Sequence, residues 1–219
     1  MSFKRARSDQ HVQERIQEII SAAAEIYDSV GYEGLSFSSI SELTKFTRPT
    51  IYKYFNTKEE ILLKILLSDM QEWILSLVNS FKINKLYSIN EITDIWVNAI
   101  SGNFRLLKLF SMLFTSIETN ASLEVLVEFK KGFFKLQEQA MELMAQLFPN
   151  AEKSDIYRFL VNQLALALGL YPMCHLTDIQ RKAYEISGIT NMTPDFKDIY
   201  RANIYQLLYC LEQGIHIPD

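Results

Sequence analysis

The chain has 219 residues, of which 48% are hydrophobic and 22% are charged, and its formal net charge at pH 7 is −4. This length is enough for one large domain or two small ones with a sizeable core, and the acidic balance excludes a protein coated in basic charge. The longest strongly apolar run, residues 164–174, is about half of the ~20 residues that span a bilayer, which argues against a membrane protein. Only 7 glycines and 5 prolines occur, and no alternating apolar and polar run indicates a strand. The sequence therefore predicts an all-α protein.

The N-terminus and the cysteines indicate the compartment. The N-terminus is polar and basic and lacks the apolar segment of a signal peptide, so we expect a cytoplasmic protein. Cys174 and Cys210 have apolar surroundings and no CxxC spacing, which favours buried reduced thiols. A disulfide between them stays open as the alternative.

The chain is predicted to begin with a flexible basic arm at residues 1–8, which carries Lys4, Arg5 and Arg7. We expect this arm either to reach DNA or to be a solubilising tail.

The first predicted helix runs from about Asp9, as N-cap, to Val30, and Gly31 is placed where a C-terminal glycine belongs.

Two short helices are predicted next. The second helix is capped by Ser36 and is expected to bury Ile40 and Leu43. The third begins near residues 47–48, continues through residue 54 and is closed at residues 56–57. Pro49 lies in its first turn, where a missing N–H costs nothing.

The sequence Thr-Lys-Glu-Glu at residues 57–60 predicts a capping box that opens a long fourth helix at residues 58–81. Two apolar stripes on this helix indicate packing on two sides, as expected of a connector. We therefore predict an N-terminal domain at residues 1–56 and a C-terminal helical domain at residues 57–219. The further helices of that domain are predicted near residues 89–100, 103–116, 122–148, 153–174, 178–187 and 195–213.

Positive charge is concentrated just before the fourth helix. No acidic residue lies between Glu42 and Glu59, and a phosphate backbone responds to such a local cluster rather than to the overall charge. A short helix of this kind after another short helix is typical of a helix-turn-helix unit, whose later helix lies in the major groove. Charge alone would equally describe a solvated helix face. The basic residues concerned are Lys45, Arg48, Lys53 and Lys58.

Four segments make the interpretation specific: IISAA at 19–23, GY at 31–32, ISEL at 40–43 and TIYKYFNTKEEI at 50–61. Together they resemble the N-terminal domain of TetR-family transcriptional regulators, over roughly residues 12–64. The resemblance implies a homodimeric repressor with a three-helix, homeodomain-like helix-turn-helix unit that binds a double-stranded DNA operator. It also implies a C-terminal helical bundle that binds an effector, often a small molecule, and dimerises through its last long helices.

The resemblance also identifies candidate DNA contacts. The guanidinium of Arg48 suits guanine O6 and N7, the tyrosines can donate to phosphates, and Lys58 is placed at a helix N-terminus that favours phosphate. The family usually has glycine where this chain has Lys45, which adds charge beside the groove and would make a positive φ costly. The predicted DNA-binding residues are Ser36, Ser38, Lys45, Thr47, Arg48, Pro49, Thr50, Tyr52, Lys53, Tyr54 and Lys58. The residues matching the buried core are Ile40, Leu43, Ile51 and Phe55.

Aromatic residues of the C-terminal half are candidates for an effector cavity, although the same residues could be ordinary core. As a group they favour a small apolar or aromatic effector. A C-terminal bundle that binds a protein partner and has no small-molecule pocket is the alternative. The predicted effector-binding residues are Trp96, Phe110, Phe114, Phe129, Phe133 and Tyr171, with Glu118, Gln137 and His175 as possible polar partners.

Neither a cofactor nor a metal site is predicted. Cys174 and His175 are adjacent, but the three histidines have no ligand-type spacing, so packing is the better interpretation. The sequence has no nucleophile–base pattern, glycine-rich phosphate loop or carboxylate pair, and we do not expect an enzyme.

A dimer interface is predicted from the apolar run at residues 164–170 together with the last helix. Small residues in this run allow close helix approach, although simple burial within one subunit stays open. A dimer would place two recognition helices ~34 Å apart, one DNA turn. The predicted interface residues are Phe159, Gln163, Leu166, Leu170, Ile204, Leu208 and Leu211.

Overall fold

The computed structural model describes residues 2–82, 85–189 and 193–215, with side chains from residue 10 onward. All regular structure in these ranges is helical, which confirms the all-α prediction. A π-helical turn at Leu113–Ile117 and a 3-10 turn at Glu118–Asn120 follow α6. The helices are α1 (Ser2–Gly34), α2 (Phe37–Leu43), α3 (Arg48–Ile51), α4 (Lys58–Ser80), α5 (Ile89–Ser101), α6 (Phe104–Met112), α7 (Leu123–Leu147), α8 (Lys153–Cys174), α9 (Asp178–Ile186) and α10 (Phe196–Glu212).

The first helix differs from its prediction at the N-terminal end. It begins at Ser2, because nothing in residues 2–8 breaks a helix, so Asp9 is not its N-cap. The helix is interrupted at Gly31, where φ is 73° and ψ is −168°, a conformation open to glycine almost alone. The side chains of the predicted basic arm, and that of Asp9, lie outside the described residues. The flexibility predicted for this arm stays a prediction.

The later helices begin where local signals place them. Ser88 and Glu91 form a reciprocal capping box at the start of α5, and Thr177 and Gln180 do the same for α9. The Asp195 side chain accepts from the backbone N–H of Asp198 at the start of α10.

The chain divides into two compact units. Unit 1 consists of Met1–Ser68 and Met112–Phe133, and unit 2 consists of Asp69–Ser111 and Phe134–Asp219. Both α4 and α7 contribute residues to each unit. The domain division predicted at residues 56 and 57 stays a prediction.

The core of unit 1 holds the helix-turn-helix segment in place. Leu43 is the exception among the predicted core residues, since it is 48% exposed. It is the last residue of α2. The buried side chains of this core include Ile19, Ala23 and Tyr27 of α1, Phe37 and Ile40 of α2, Ile51 and Phe55 around α3, and Leu62 and Leu66 of α4.

The core of unit 2 is organised around the fully buried Trp96. Its indole packs edge-on against Trp73 and Phe159, with ring centroids 6.0 and 5.1 Å away. Gln163 Oε1 accepts hydrogen bonds from Trp96 Nε1 at 3.2 Å and from the Tyr200 hydroxyl at 2.7 Å. Burial raises the pKa of Tyr200, so this hydroxyl keeps its proton as donor. The side-chain oxygen of the buried Gln163 therefore has two hydrogen-bond donors in this core.

Candidate nucleic-acid interface

Side-chain hydroxyls stabilise both ends of α2, including the turn that leads to α3. Ser36 Oγ accepts from the backbone N–H of Ser39 at 3.1 Å, and Ser39 Oγ accepts from the N–H of Ser36 at 2.9 Å, which fixes the start of α2. Thr44 leaves the helix in an extended conformation, and its Oγ1 donates to the carbonyl of Ile40 at 2.8 Å and accepts from the N–H of Phe46 at 3.3 Å. The turn is thus stabilised by Thr44, beside the exposed Lys45.

The third helix is shorter than its prediction. α3 consists of four residues, Arg48–Ile51, and the chain continues through a turn at residues 52–54. Ile51 and Phe55 are both buried, so they anchor this segment to unit 1. Pro49 lies in the first turn, as predicted. Lys53 and Tyr54, predicted within the helix, lie instead in the turn that follows it.

The predicted DNA-binding residues differ in how much surface they offer. Tyr52 is 59% exposed, although one side of its ring packs edge-on against Phe37 at 4.7 Å between centroids. Ser38, Thr50, Tyr54 and Lys58 are half-buried. The exposed members are Ser36, Lys45, Thr47, Arg48, Pro49, Tyr52 and Lys53.

Three cations on this surface are uncompensated. Within residues 2–82, 85–189 and 193–215, the side chains of Lys45, Arg48 and Lys53 form no ion pair. Their positive charge is therefore available to a polyanion without first breaking an internal contact.

Lys58 has a partner inside the protein. Its Nζ donates to the carbonyl of Tyr32 at 2.8 Å and lies 3.7 Å from the centre of the Tyr32 ring. The Tyr32 hydroxyl in turn donates to Glu59 Oε1 at 2.5 Å, and burial together with this bond raises the pKa of Tyr32 to about 12. Lys58 therefore joins the end of α1 to the start of α4, and its contact with phosphate stays a prediction.

Glu60 is a buried acidic residue whose partners differ from those of the predicted capping box. It is 1% exposed, and its carboxylate accepts from the N–H of Asn56 at 2.7 Å, Asn56 Nδ2 at 3.3 Å and the N–H of Ser122 at 3.2 Å. Burial opposes ionisation, but the bonds from Ser122 and Asn56 outweigh it and lower the pKa of Glu60.

The arrangement of Glu60 also changes the predicted capping box. Thr57 Oγ1 accepts from the N–H of Glu60 at 3.3 Å, but the Glu60 side chain turns to Asn56 and Ser122, so only one half of the box forms. The spacing of Asn56 and Glu60 is a local signal, whereas Ser122 is too distant in sequence to be read as a partner.

The predicted effector residues do not form one cluster within either unit. Trp96, Phe110 and Tyr171 are buried in unit 2. Phe129 is buried in unit 1, Phe133 there is half-buried, and Phe114 is 62% exposed.

The possible polar partners are also divided between the two units. Glu118 pairs with Lys130 in unit 1, and Gln137 is half-buried on α7 in unit 2. His175 lies beside one of the predicted aromatics, stacked on Tyr171 with 4.3 Å between ring centroids.

Most of the predicted interface residues are buried within their own subunit. Leu166 is half-buried and keeps some free surface. The others face the core of unit 2 because they share the apolar helix faces that pack α8 and α10 together, and their role as partner contacts stays a prediction. These buried residues are Phe159, Gln163, Leu170, Ile204, Leu208 and Leu211.

The predicted reduced thiols are both free. Cys174 is half-buried and Cys210 is exposed, which corrects the prediction that both are buried. Burial and the nearby Asp195 carboxylate raise the pKa of Cys174.

In the described part of the chain, no group of three or more His, Cys, Asp or Glu side chains could hold a metal ion. No single described helix is long and apolar enough to cross a membrane; only α8 and α9 together pass that test, as a pair bent by 57°.

Two family models match the sequence. The model described as "Bacterial regulatory proteins, tetR family" matches residues 19–65, and "Tetracyclin repressor-like, C-terminal domain" matches residues 67–214. No curated protein matches this chain. The two models together span most of the chain.

Solved structures share the fold at low identity. The transcriptional regulator SCO7222, a TetR from Streptomyces coelicolor, is 14% identical with a TM-score of 0.55, and the match covers 92% of this chain and 99% of that one. The TetR family transcriptional regulator PfmR from Thermus thermophilus is 14% identical with a TM-score of 0.53, covering 91% and 99%. The fatty acid degradation regulator FadR from Bacillus halodurans is 15% identical with a TM-score of 0.53, also covering 91% and 99%.

Proposed function

The chain belongs to the TetR family of transcriptional regulators, and from this premise we propose that it is a homodimeric repressor of a pseudo-palindromic operator. The observation that supports this proposal is the uncompensated charge of Lys45, Arg48 and Lys53 around a short helix anchored by Ile51 and Phe55. Such a segment can enter the major groove without breaking any of its own contacts. The protein would act in the cytoplasm, where its operator is.

Each part of this surface has a different proposed role. Arg48 reads a guanine through its two parallel N–H donors, and Thr47 and Thr50, whose hydroxyl oxygens are 3.1 Å apart, contact neighbouring base edges or phosphates. Tyr52 and Lys53 contact the phosphate backbone.

Selection of bound DNA from a random library, followed by footprinting of the winning site, tests the proposal. We expect a pseudo-palindrome whose half-sites are about one helical turn apart, because two copies of α3 must enter successive major grooves. An enriched site without two-fold symmetry would contradict the proposed dimer. Failure to enrich any sequence above the starting library would contradict sequence-specific binding itself.

For the dimer, we propose the exposed face of α8 that adjoins the buried one. Tyr157, Val161, Leu164 and Leu168 are spaced 4, 3 and 4 residues apart, so they form one stripe, and all four are exposed or half-buried. A two-fold axis places the same surface of both subunits together, so this apolar stripe would pack against its own copy in the partner subunit.

Replacing Val161 with glutamate is expected to weaken the dimer at least tenfold, because the interface would have to bury a charge in apolar surroundings. Sedimentation equilibrium at several protein concentrations measures the change. Val127→Glu on α7 is the matched control, since Val127 and Val161 are each 44% exposed. Equal effects of the two substitutions, or no effect of Val161→Glu, would contradict the proposed face.

We also propose that an effector bound in the C-terminal bundle releases the operator by changing the position of α4, which has residues in both units. This coupling requires the effector to bind one conformation better than the other.

A protein partner in place of the effector is favoured by one observation: every residue of α9 is exposed, including Ile179 and Ile186. Thermal shifts with a compound panel, compared with co-purification of a partner, distinguish the two.

A further inference from the structure

Unit 2 contains an open cavity of about 720 Å³ between α6, the C-terminal end of α8 and α9. This volume is within the range of ~300–1,000 Å³ that small-molecule sites occupy. Lys108, His175 and Arg181 are among its lining residues, whereas no aspartate or glutamate among the described residues lines it. The charged side chains of the wall, Lys108 and Arg181, are therefore both basic.

Lys108 carries the free charge of this cavity. It is exposed on α6, and it forms no ion pair with any residue that the structure describes. Arg105, one turn earlier on α6, is different: its guanidinium makes two hydrogen bonds with the buried Asp69, at 2.8 and 2.7 Å. The protein thus neutralises one cation of α6 internally and leaves the cavity-facing one available.

His175 is held in a fixed orientation on the same wall. Its Nδ1 lies 3.0 Å from the carbonyl of Tyr171, and because a carbonyl only accepts, Nδ1 must carry the proton. The ring stacks on Tyr171 and lies 4.7 Å from Phe104 between centroids. In this tautomer Nε2 is a hydrogen-bond acceptor, so His175 contributes its ring to the wall and no donor for an anion.

Arg181 contributes less charge. Its Nη1 donates to the carbonyl of Leu176 at 2.8 Å, and its Nη2 bonds to the exposed carboxylate of Asp178. Nearby, Thr177 and Gln180 bond to each other in the capping box of α9. These groups shape the wall, and Lys108 remains as the cation that a ligand can engage.

We propose that this cavity binds a small organic anion, whose charged group contacts Lys108 and whose body lies against Tyr171, Pro172 and the His175 ring. As the effector site of a repressor, this cavity rests on the proposed function. The effector that it implies is charged, whereas the sequence predicted an apolar or aromatic one. The aromatic composition of the sequence did not predict this, because Lys108 lies far from His175 along the chain and no local pattern joins them.

Three related probes test the charge requirement: benzoate, phenyl phosphate and, as the neutral counterpart of benzoate, benzamide. We expect both anions at millimolar concentration to raise the thermal midpoint of the full-length protein at constant ionic strength, and benzamide to have no effect. Lys108→Gln should weaken anion binding about tenfold in calorimetry, as expected for loss of one charged hydrogen bond. Lys182→Gln is the matched control, because Lys182 is an exposed cation on α9 that does not line the cavity.

Equal shifts with benzoate and benzamide, no shift with either anion, or the same loss of binding in both lysine variants would each overturn the proposal. All three results concern the protein without DNA, so they are independent of the proposed function. Conversely, a protein that binds the anions and enriches no operator would contradict the repressor and leave this site standing. Release of a selected operator by the anions, lost in Lys108→Gln, would link the two.

Discussion

Replacing Arg48 with alanine is expected to weaken binding to the selected operator about 100-fold and to leave the thermal midpoint of the free protein unchanged. Arg48 is exposed and has no ion pair among the described residues, so its removal costs the folded state little. In the complex, a bidentate contact with guanine contributes about 1–3 kcal/mol in each half-site, and a dimer makes that contact twice. Fluorescence anisotropy with the labelled operator, together with a melting curve, measures both quantities.

Two further variants separate base reading from general attraction. Arg48→Lys keeps the charge but loses the fork, so it should bind almost as weakly as alanine if Arg48 reads a base, and nearly normally if it contacts phosphate. Arg15→Ala removes another exposed cation, on α1, and should leave affinity unchanged. An Arg48→Ala variant that binds the operator as well as the parent would contradict the placement of α3 in the groove.

The sequence predicts the helices of this protein well because their ends have local causes. Ser36, Ser88 and Thr177 each cap a helix with their own side chain, and Gly31 adopts a backbone conformation that other residues rarely reach. Pro49 is acceptable only in a first turn. Each of these signals acts within four residues, which is the distance over which sequence patterns are informative.

The side-chain roles at the candidate site were less predictable because they depend on partners far along the chain. Lys58 matches a phosphate-binding position, but its Nζ bonds to Tyr32, 26 residues earlier. The carboxylate of Glu60 is satisfied partly by Ser122, 62 residues later. A spacing rule gives the type of residue and the helix face, and it does not give the tertiary partner.

Interface and core are also hard to separate by pattern. Phe159 and Leu170 lie on an apolar stripe of α8 that packs inward, and Val161 and Leu168 lie on a neighbouring stripe that stays more exposed. Both stripes have helical spacing, and only packing against α10 decides which is internal. The effector residues raise the same difficulty, since a buried aromatic such as Trp96 fills a core as readily as it lines a pocket.

Replacing Glu60 with glutamine is expected to lower the free energy of unfolding by about 3 kcal/mol at pH 7, which corresponds to about 10 °C for a chain of this size. The carboxylate accepts from two backbone N–H groups, those of Asn56 and Ser122, and a neutral amide weakens both bonds and turns an NH₂ group toward a donor. Melting curves at one fixed protein concentration measure the change, because a dimer's midpoint depends on concentration. Glu72→Gln, an exposed glutamate of the same helix, is the matched control and should melt like the parent.

The pH dependence makes the prediction for Glu60 specific to its charge. Because the folded protein lowers the pKa of Glu60 from its ordinary value of 4.5, the stabilisation is complete above that value and is lost as the pH falls through the lower folded value. The difference in stability between the parent and Glu60→Gln should therefore be largest near neutral pH and shrink in acid. A difference that stays constant in acid would show that the shape of the Glu60 side chain, and not its charge, stabilises its contacts with Asn56 and Ser122.

Loss of the Glu60 charge should also affect the DNA-binding surface. Glu60 holds Asn56, which follows α3 and the turn at residues 52–54. The surface that carries Arg48 and Lys53 should therefore loosen, and operator affinity should fall together with stability.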